Sequence, residues 1–531
     1  TNNGIIEGIF GTSEFSFYGE AAQTYSGSGV WKAVAMGSPF AGLGVNISNP
    51  SGLTVNGTLA TESIYLFNGD IVNSSNIEIG SAIFSFVQRG GSATLNAGTF
   101  DTHPVINSTA NYTLYYYDAV SGISTGPEIP VSSNTYRVYS NNTNGVTLTS
   151  NLNVSNDLQL MKSTFDFGAN TVKIGNTITL TSGIADGDEG TLDMNGTAAQ
   201  TIPNNTFLQN NLKNLIISNT NNTTGVTLAD TLDIYRSVSF APGGRKLTTG
   251  GFLSLKSTAT ETAWLGQMTA SNTIVGSTTV ERFIPLHSKA WQFLAVPASG
   301  QTVNAAWQEG NTPLSTALNP GYGTLITSNY AGTGFDIIGG SGPSMMTYDS
   351  TAKTFLGIPN TTIPVYNRKG YMLFVRGNRT ATTVSGPTTS ANLRTKGTLF
   401  TPATPPPVIN LAANTFESVG NPYASAIDLT ASNLTGGVQD VFYVWDPKLT
   451  TAPSAYGFGA YQTFTRNGAV YDVTPGGGSY ASGTSKTIES GQAFFVRAPS
   501  APGSITFTEN CKVSGSSDVN RVAVSNASQL R

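Results

Sequence analysis

The sequence is short of the residues on which most enzymes and many extracellular domains depend. Only 11% of its 531 residues are charged, whereas an ordinary soluble domain carries about 25%. It has two histidines, His103 and His287, and one cysteine, Cys511. A single cysteine excludes disulfides within the chain. Two separated histidines leave little from which to build a hydrolytic triad or a histidine-based zinc site.

Long hydrophobic runs and a strong excess of one charge sign are also missing. No run of about 20 apolar residues occurs, so we expect no membrane span. The formal net charge is −4 and no basic stripe is present, which argues against nucleic acid as a partner. Hydrophobic residues still make up 39% of the chain, enough to bury a large core.

The most informative feature of the sequence is an internal repeat. Gly19-Glu-Ala-Ala-Gln-Thr24 recurs as Gly196-Thr-Ala-Ala-Gln-Thr201, and each copy precedes an apolar strand, an Asn/Ser/Gly turn and a second alternating strand. Units of this kind stack, and each buries its apolar edge against its neighbours. We predict an all-β protein with a β-solenoid, or parallel β-helix, over residues 1–277; a long up-and-down β-meander is the alternative. Six apolar residues should be mostly buried in this body: Val138, Leu148, Leu152, Val154, Leu158 and Leu160.

From about residue 278 the strands become longer and the aromatic residues more frequent. Three segments of this half occur twice, namely 291–297 with 415–422, 346–349 with 443–446, and 369–377 with 490–498. The repeat predicts two tandem β-sandwich modules, 278–398 and 408–510, with a Pro-rich connector at 399–407 and a tail or further segment at 511–531. Residues 370–376 and 491–497 should form equivalent strands, with Phe374 and Phe495 as matching core residues.

The only tight cluster of acidic residues is Asp186-Gly-Asp-Glu189. Carboxylates on a Gly-rich loop can hold Ca²⁺, a hard ion that takes oxygen ligands. Asp186, Asp188 and Glu189 are therefore a candidate calcium site, although their spacing matches no complete calcium loop. Catalytic acids and a solvated turn are the alternatives.

Tyrosines supply the candidate ligand contacts. Side chains on a strand alternate between faces, so at least one residue of the run 115–117 points outward, and we select Tyr115 and Tyr117. Tyr456 and Tyr461, in a Gly-rich loop, are candidates to present flat ring faces to sugars. Core packing for the inward tyrosines and ordinary exposure for the others is the alternative.

A family resemblance rests on five strings that together cover nearly the whole chain: Gly196–Ile202, Ser124–Pro130, Thr302–Gly310, Gly420–Asp428 and Ser490–Val496. In their order along the chain they resemble the large secreted surface proteins of the Bacteroidetes phylum that leave the cell by the type IX (gliding-associated) secretion route. The resemblance implies a β-helical stalk followed by β-sandwich modules, a secreted cell-surface location, and a role as an adhesin, gliding protein or fibrous appendage. It also leads us to expect that residues 1–531 belong to a longer precursor.

The sequence thus predicts a non-catalytic extracellular protein that builds or tips a cell-surface fibre and adheres to surfaces, glycans or neighbouring cells as a homo-oligomer or within the fibre. Two alternatives stay open. A polysaccharide-active β-helix enzyme, a lyase or glycosidase, would need paired acids beside aromatics on one solenoid face. A purely structural, self-assembling fibre subunit would need exposed apolar patches or an uncapped solenoid end.

Overall fold

The computed structural model describes residues 5–8, 14–27, 30–33, 44–80, 84–106, 111–131, 134–287, 289–329, 333–338, 342–382, 389–401, 406, 408–449 and 459–515. Strands account for 48% of the chain and helices for 3%, which confirms the all-β prediction. Within the described ranges no helix has the length and apolar character needed to cross a membrane. The chain divides into two compact units, Thr1–Leu232 and Asp233–Arg531.

The strands of the first unit are two to eleven residues long and belong to a β-solenoid of about ten turns in the N-terminal part of the chain. A 3₁₀ turn spans Ser74–Asn76. In chain order the strands are β1 (Ile5–Gly8), β2 (Glu14–Phe17), β3 (Gln23–Tyr25), β4 (Val30–Ala33), β5 (Gly44–Ile47), β6 (Leu53–Val55), β7 (Leu59–Thr61), β8 (Ser63–Leu66), β9 (Ile71–Val72), β10 (Ile77–Ile79), β11 (Phe84–Arg89), β12 (Val105–Ile106), β13 (Asn111–Tyr117), β14 (Ile123–Ser124), β15 (Thr135–Asn141), β16 (Val146–Thr147), β17 (Leu152–Leu160), β18 (Thr164–Asp166), β19 (Thr171–Ile174), β20 (Thr177–Leu180), β21 (Ile184–Met194), β22 (Gln200–Ile202), β23 (Phe207–Ile217) and β24 (Val226–Leu228).

Parallel pairing between strands of successive turns defines the solenoid, with partners three strands apart in the first turns. In its first turns β1, β4, β7 and β10 form one stack, β2, β5, β8 and β11 a second, and β3, β6 and β9 a third. The second stack continues through β13, β15 and β17. A meander would pair consecutive strands antiparallel, so that alternative is wrong. The six residues predicted to be buried, Val138, Leu148, Leu152, Val154, Leu158 and Leu160, are all at most 3% exposed.

Four asparagines at the corners, of which Asn49, Asn142 and Asn219 are buried and Asn170 is half-buried, join successive turns. The side-chain amides of Asn49, Asn142, Asn170 and Asn219 donate to backbone carbonyls of the preceding turn, at 2.7 to 3.0 Å. Such a ladder satisfies backbone groups that the tight corners leave without a strand partner. The Asn-rich turns of the sequence therefore become part of the interior.

The second unit begins with parallel pairs and continues with antiparallel sheets. Its helical segments are α1 (Val303–Trp307) and the 3₁₀ turns Leu429–Ala431 and Glu509–Cys511. Its strands are β25 (Leu232–Phe240, which starts at the boundary), β26 (Lys246–Thr248), β27 (Leu253–Leu255), β28 (Trp264–Leu265), β29 (Thr273–Val275), β30 (Thr278–Ile284), β31 (Ala290–Leu294), β32 (Ala298–Ser299), β33 (Met345–Asp349), β34 (Thr354–Gly357), β35 (Tyr371–Val375), β36 (Ala391–Leu399), β37 (Val408–Leu411), β38 (Thr415–Gly420), β39 (Ala426–Asp428), β40 (Asn433–Gly436), β41 (Val441–Asp446), β42 (Ala460–Asn467), β43 (Val470–Thr474), β44 (Thr487–Ile488), β45 (Ala493–Ala498), β46 (Gly503–Thr506) and β47 (Lys512–Val513).

The internal repeat of this half corresponds to two sheets with the same strand order. The repeat-1 sheet is β31-β35-β33-β34, and the repeat-2 sheet is β38-β45-β41-β42-β43. β35 and β45 are therefore equivalent strands, as predicted, but the matching of residues is wrong. Phe495 lies opposite Ser418 and Tyr443, while the corresponding position in repeat 1 is occupied by Met372, opposite Phe293 and Met346.

Each repeat has a hydrophobic core of its own, and a third, smaller cluster joins the two repeats. Phe293 and Met372 of the repeat-1 sheet cluster with Ala493 and Phe495 of the repeat-2 sheet, and eight aromatic or sulfur-containing side chains pack around them: Trp291, Met346, Tyr348, Phe355, Phe416, Tyr443, Trp445 and Tyr461. β47 pairs with β39, so Lys512 and Val513 belong to a sheet of the second repeat. The boundaries at 277, 398, 407 and 510 stay predictions.

Candidate functional site

An aromatic ladder, consisting of Tyr65, Phe86, Tyr115 and Tyr139, lies on the outer face of the second stack of the solenoid. These residues come from β8, β11, β13 and β15, which are successive strands of that stack. Their ring centroids are 5.1, 5.5 and 4.6 Å apart along the ladder, and the rings of Tyr115 and Tyr139 are almost parallel, at 8°. All four side chains are half-buried. Gln88 is the residue of β11 that is in register with Tyr65 and Tyr115, and the ring of Phe86, two residues earlier, lies between those two tyrosines and makes the row of aromatic edges continuous.

Alternation within β13 explains how the ladder is formed. Tyr112 and Tyr116 point inward and are buried, whereas Tyr115 and Tyr117 point outward and are half-buried. The ring of Tyr117 stacks beside that of Tyr115, with centroids 5.9 Å apart. The structure thus places Tyr115 and Tyr117 on the outer face, as the sequence suggested. That they contact a ligand stays a prediction.

Stacking determines which parts of the ladder a ligand can reach. Tyr139 covers one ring face of Tyr115, and the edge-on ring of Phe86 lies on its other side. Burial raises the pKa of Tyr115, and the neighbouring tyrosines Tyr139 and Tyr117 raise it further. The phenol is therefore neutral at physiological pH, and the ladder offers ring edges and neutral hydroxyl groups, not flat ring faces.

Tyr461 occupies a different environment from the one predicted. Its ring packs 4.8 Å from Trp445 and 5.7 Å from Phe495, within the core that the two repeats share. Its hydroxyl is buried without a hydrogen-bond partner among the described residues, and burial raises its pKa. Tyr461 is thus half-buried against this core, and that it contacts a ligand stays a prediction. Tyr456 lies outside the described residues.

The acidic cluster lies in a strand instead of the expected loop. Asp186, Asp188 and Glu189 are all part of β21, which has register shifts at this point. Glu189 forms an ion pair with Lys213, and the Asp186 carboxylate accepts from the backbone N–H of Asp188 at 3.4 Å. Burial and the charge of Asp188 help to raise the pKa of Asp186. In the part of the chain that the structure describes, no three His, Cys, Asp or Glu side chains are placed to hold a metal ion, so the calcium site is not assembled.

A buried polar cluster inside the solenoid was not predicted. Glu128 is fully buried, and its Oε1 lies 2.8 Å from Nη1 of Arg89 and accepts from the hydroxyl of Tyr116 at 3.1 Å. The hydroxyl of Tyr112 donates to the backbone oxygen of Glu128 at 2.8 Å. Burial acts to lower the pKa of Arg89, but Glu128 outweighs it and the pKa is raised. All of its members are buried, so its role is structural, and no sequence pattern pointed to it.

Carboxylates of the second unit are paired in the same way. The buried Asp336 receives both terminal nitrogens of Arg379, at 2.8 and 3.1 Å. Three further buried or half-buried pairs are Glu309–Arg394, Glu281–Lys256 and Glu509–Lys512, at 2.6 to 2.8 Å. Burial raises the pKa of Glu309, while Arg394 opposes this effect. These acids are therefore neutralised by neighbouring cations.

Comparison with known proteins gives one family match. Residues 338–528 match a family described as a domain of unknown function (DUF8693). The match covers roughly a third of the chain, from the middle of the first repeat through the second. No curated protein and no solved structure matches the chain.

Proposed function

We propose that this protein is a non-catalytic, secreted component of a cell-surface fibre or appendage, and that it adheres to glycans through the outer face of its solenoid. The aromatic ladder carries this proposal. Parallel strands are stacked about 4.8 Å apart, so the ladder repeats one shallow contact at short intervals along a stiff body. Each contact is weak, and display in a homo-oligomer or fibre raises the overall affinity through effective concentration.

The chemistry of the ladder suits an extended, neutral polysaccharide. Aromatic edges carry partial positive charge and can lie against the oxygen atoms of a sugar, and the hydroxyls of Tyr115 and Tyr139 can exchange hydrogen bonds with sugar hydroxyls. Neither requires a charged group. A chain with 11% charged residues has few alternatives to contacts of this kind.

Ion pairing supports the non-catalytic part of the proposal. A glycosidase needs two carboxylates across the scissile bond, one of them free to donate a proton. The buried carboxylates of Glu128, Asp336 and Glu309 each face an arginine within 2.8 Å. This arrangement favours stabilisation of the fold over acid–base chemistry.

The test combines binding, mass and sugar release on the purified full chain. Co-sedimentation with cellulose and xylan is measured for the wild type and for Tyr115→Ala and Tyr139→Ala. Tyr366→Ala is the matched control, because Tyr366 is an exposed tyrosine outside the ladder, in the second unit. Light scattering gives the oligomeric state, and a reducing-sugar assay gives any hydrolysis.

We expect both ladder variants to lose binding while the control retains it, and the binding species to be oligomeric. A strictly monomeric protein that releases sugars would overturn the proposal. Equal binding by the ladder variants and the wild type would also contradict it, because adhesion would then use another surface.

A further inference from the structure

A lysine, a glutamate and an asparagine meet on three neighbouring strands of the second unit. β30 pairs parallel with β27 on one side and antiparallel with β36 on the other. Glu281 of β30 lies between the other two residues. Nζ of Lys256, directly after β27, donates to its Oε1 at 2.6 Å, and Nδ2 of Asn392, on β36, donates to its Oε2 at 2.9 Å. One carboxylate thus holds both an amine and a primary amide, one on each oxygen.

The carboxylate and the amine are largely shielded from water. The side chain of Glu281 is 1% exposed and that of Lys256 is 13% exposed. The hydroxyl of Tyr322 accepts from Nζ of Lys256 at 3.4 Å, and the guanidinium carbon of Arg394 lies 4.0 Å from the centroid of the Tyr322 ring. In such surroundings hydrogen bonds are stronger than in water, and a polar group that lacks its partner is correspondingly unfavourable.

The amide oxygen of Asn392 is such a group. Its Oδ1 is buried and has no hydrogen-bond partner among the described residues. The amide nitrogen of the same side chain donates twice, to Glu281 and to the backbone oxygen of Ser257 at 3.0 Å. A buried acceptor without a donor destabilises the fold. The ionised Glu281 cannot supply the missing proton, because a carboxylate only accepts hydrogen bonds.

A second buried lysine–glutamate pair of this unit is built differently. Nζ of Lys512 lies 2.8 Å from Oε2 of Glu509, and the backbone N–H of Met268 donates to the same oxygen at 2.7 Å. Within the described residues no side-chain amide donates to Glu509. An ion pair by itself therefore does not require the amide that Glu281 holds.

We propose that Lys256 and Asn392 react with each other to form an isopeptide bond, and that Glu281 moves the protons. Nζ of Lys256 attacks Cγ of Asn392, the bond from Cγ to Nδ2 breaks, and Nδ2 leaves as ammonia. The reaction is a single event within the chain and needs no other reactant. It involves no turnover of a substrate, so it is compatible with a non-catalytic function.

The protons balance within the three side chains. Burial acts to lower the pKa of Lys256, but Glu281 and Asp233 outweigh it and raise the pKa, so the amine starts as an ammonium. One of its protons moves to Glu281, which makes Nζ a nucleophile. Attack frees a second proton on Nζ. Glu281 delivers one proton to Nδ2, to which it is already hydrogen-bonded, takes up the other and ends as a neutral acid.

The product removes two unfavourable features of the unlinked site. A neutral amide and a neutral acid replace a buried ion pair, which ends the desolvation cost of the two charges. The protonated Glu281 can then donate to Oδ1 of Asn392, the oxygen that has no donor before the reaction. Ammonia diffuses away, so the bond is permanent.

The bond joins the chain after β27 to β36 and closes a loop that contains β28 to β35. A covalent link between distant residues stabilises a fold by restricting the unfolded chain, which is the usual role of a disulfide. Cys511 is the only cysteine, so no disulfide within the chain can have this role.

Mass spectrometry of the purified full chain tests the proposal. The intact mass should fall below the mass calculated from the sequence by one molecule of ammonia. Trypsin should release segment 247–282 joined to segment 380–394, with no cleavage after Lys256, because an acylated lysine is not recognised by trypsin.

Three variants remove one member of the site each: Lys256→Arg, Glu281→Gln and Asn392→Ala. Each should have the full mass of its own sequence, because the nucleophile, the proton carrier or the acceptor is missing. Lys173→Arg is the matched control, since Lys173 is an exposed lysine that also pairs with an acid. This variant should retain the ammonia deficit.

Lys256→Arg separates loss of the bond from loss of the fold, because it keeps a positive charge beside Glu281. Its circular dichroism spectrum should match that of the wild type, while its unfolding temperature should be lower. In denaturing gel electrophoresis the wild type should migrate faster than Lys256→Arg, because the internal link keeps the unfolded chain more compact.

Three outcomes would overturn the inference. The first is a wild-type chain that keeps its full sequence mass after days at neutral pH. The second is an ammonia deficit that maps to other residues, such as the Asn-Gly pair at 467–468, and the third is a deficit that persists in Lys256→Arg. Polysaccharide binding by the aromatic ladder does not depend on this bond, so either proposal can fail while the other stands.

Discussion

Nη1 of Arg89 lies 2.8 Å from Oε1 of Glu128 inside the solenoid of the first unit, although 39 residues separate them in the chain. The two side chains are 6% and 0% exposed. The same guanidinium donates to the backbone oxygens of Gly98 and Ser124, each at 2.7 Å. One arginine thus links three segments of the chain that no local interaction would bring together.

The first prediction concerns this pair. Glu128→Gln should lower the free energy of unfolding by about 3–5 kcal/mol, because it leaves the buried guanidinium without its counter-charge. Urea denaturation measures the change. The control is Glu261→Gln, which breaks the exposed pair of Arg236 and Glu261 at 3.6 Å and should cost less than about 1 kcal/mol. If the two variants lose similar amounts of unfolding free energy, then burial does not make the Arg89–Glu128 pair more stabilising than an exposed pair.

The second prediction concerns a corner of the solenoid. Gly69 has a φ of 106°, and a Cβ atom there would lie 1.8 Å from the backbone oxygen of Asn49. Gly69→Ala should therefore lower the unfolding temperature strongly, with a loss above about 1 kcal/mol. Gly19 has a φ of 117° but open space around it, so Gly19→Ala has backbone strain without the clash. Circular dichroism measures the unfolding temperature of both variants. An equal loss for Gly69→Ala and Gly19→Ala would contradict the close approach of the turns at Gly69.

The third prediction separates the structural role of the ladder from its proposed ligand contact. Tyr139→Phe keeps the ring stacked on Tyr115 and should leave stability almost unchanged, whereas Tyr139→Ala should cost at least about 1 kcal/mol. Chemical denaturation of both variants gives the two values. If Tyr139→Phe retains stability but loses polysaccharide binding, the hydroxyl is the binding group. A Tyr139→Ala variant as stable as the wild type would be incompatible with a ladder that supports the solenoid.

The fourth prediction concerns the pH dependence of stability that arises from Asp101. Burial acts to raise the pKa of Asp101, but hydrogen bonds from Ser74, Asn73 and Thr102 outweigh it and lower the pKa from 3.8 to about 2. The Oγ of Ser74 donates to Oδ1 at 2.5 Å, and the backbone N–H of Asn73 to Oδ2 at 2.8 Å. The lowered pKa means that this carboxylate stabilises the fold fully above about pH 4, and that the contribution disappears as the pH falls through about 2.

Thermal unfolding between pH 2 and 7 checks the effect of Asp101. Asp101→Asn should flatten the acid limb of the stability curve, and Ser74→Ala should do so in part because it removes one of the donors. Identical acid limbs in the wild type and Asp101→Asn would show that other carboxylates govern the acid transition.

Some residues lie where the sequence predicts them and others do not. Leu152, Val154, Leu158 and Leu160 were predicted to be buried because apolar residues alternate along this strand, and alternation alone decides which face of a strand turns inward. The outward position of Tyr115 and Tyr117 follows from the same rule. Asp186, Asp188 and Glu189 were misplaced because Gly187 suggested a loop, whereas the segment pairs with strands on both sides.

The sequence by itself determined the strands, the faces that they bury, and the repeats that become the solenoid and the paired sheets. These features depend on side-chain alternation and on turn residues that lie within a few positions of one another. Only the tertiary structure decided which distant residues meet: the stacking of Tyr115 on Tyr139, the pairing of Arg89 with Glu128, and the Met372 in the place expected for a phenylalanine. These relationships depend on register between strands many residues apart, and a shift of two positions preserves the alternation pattern while it changes every neighbour.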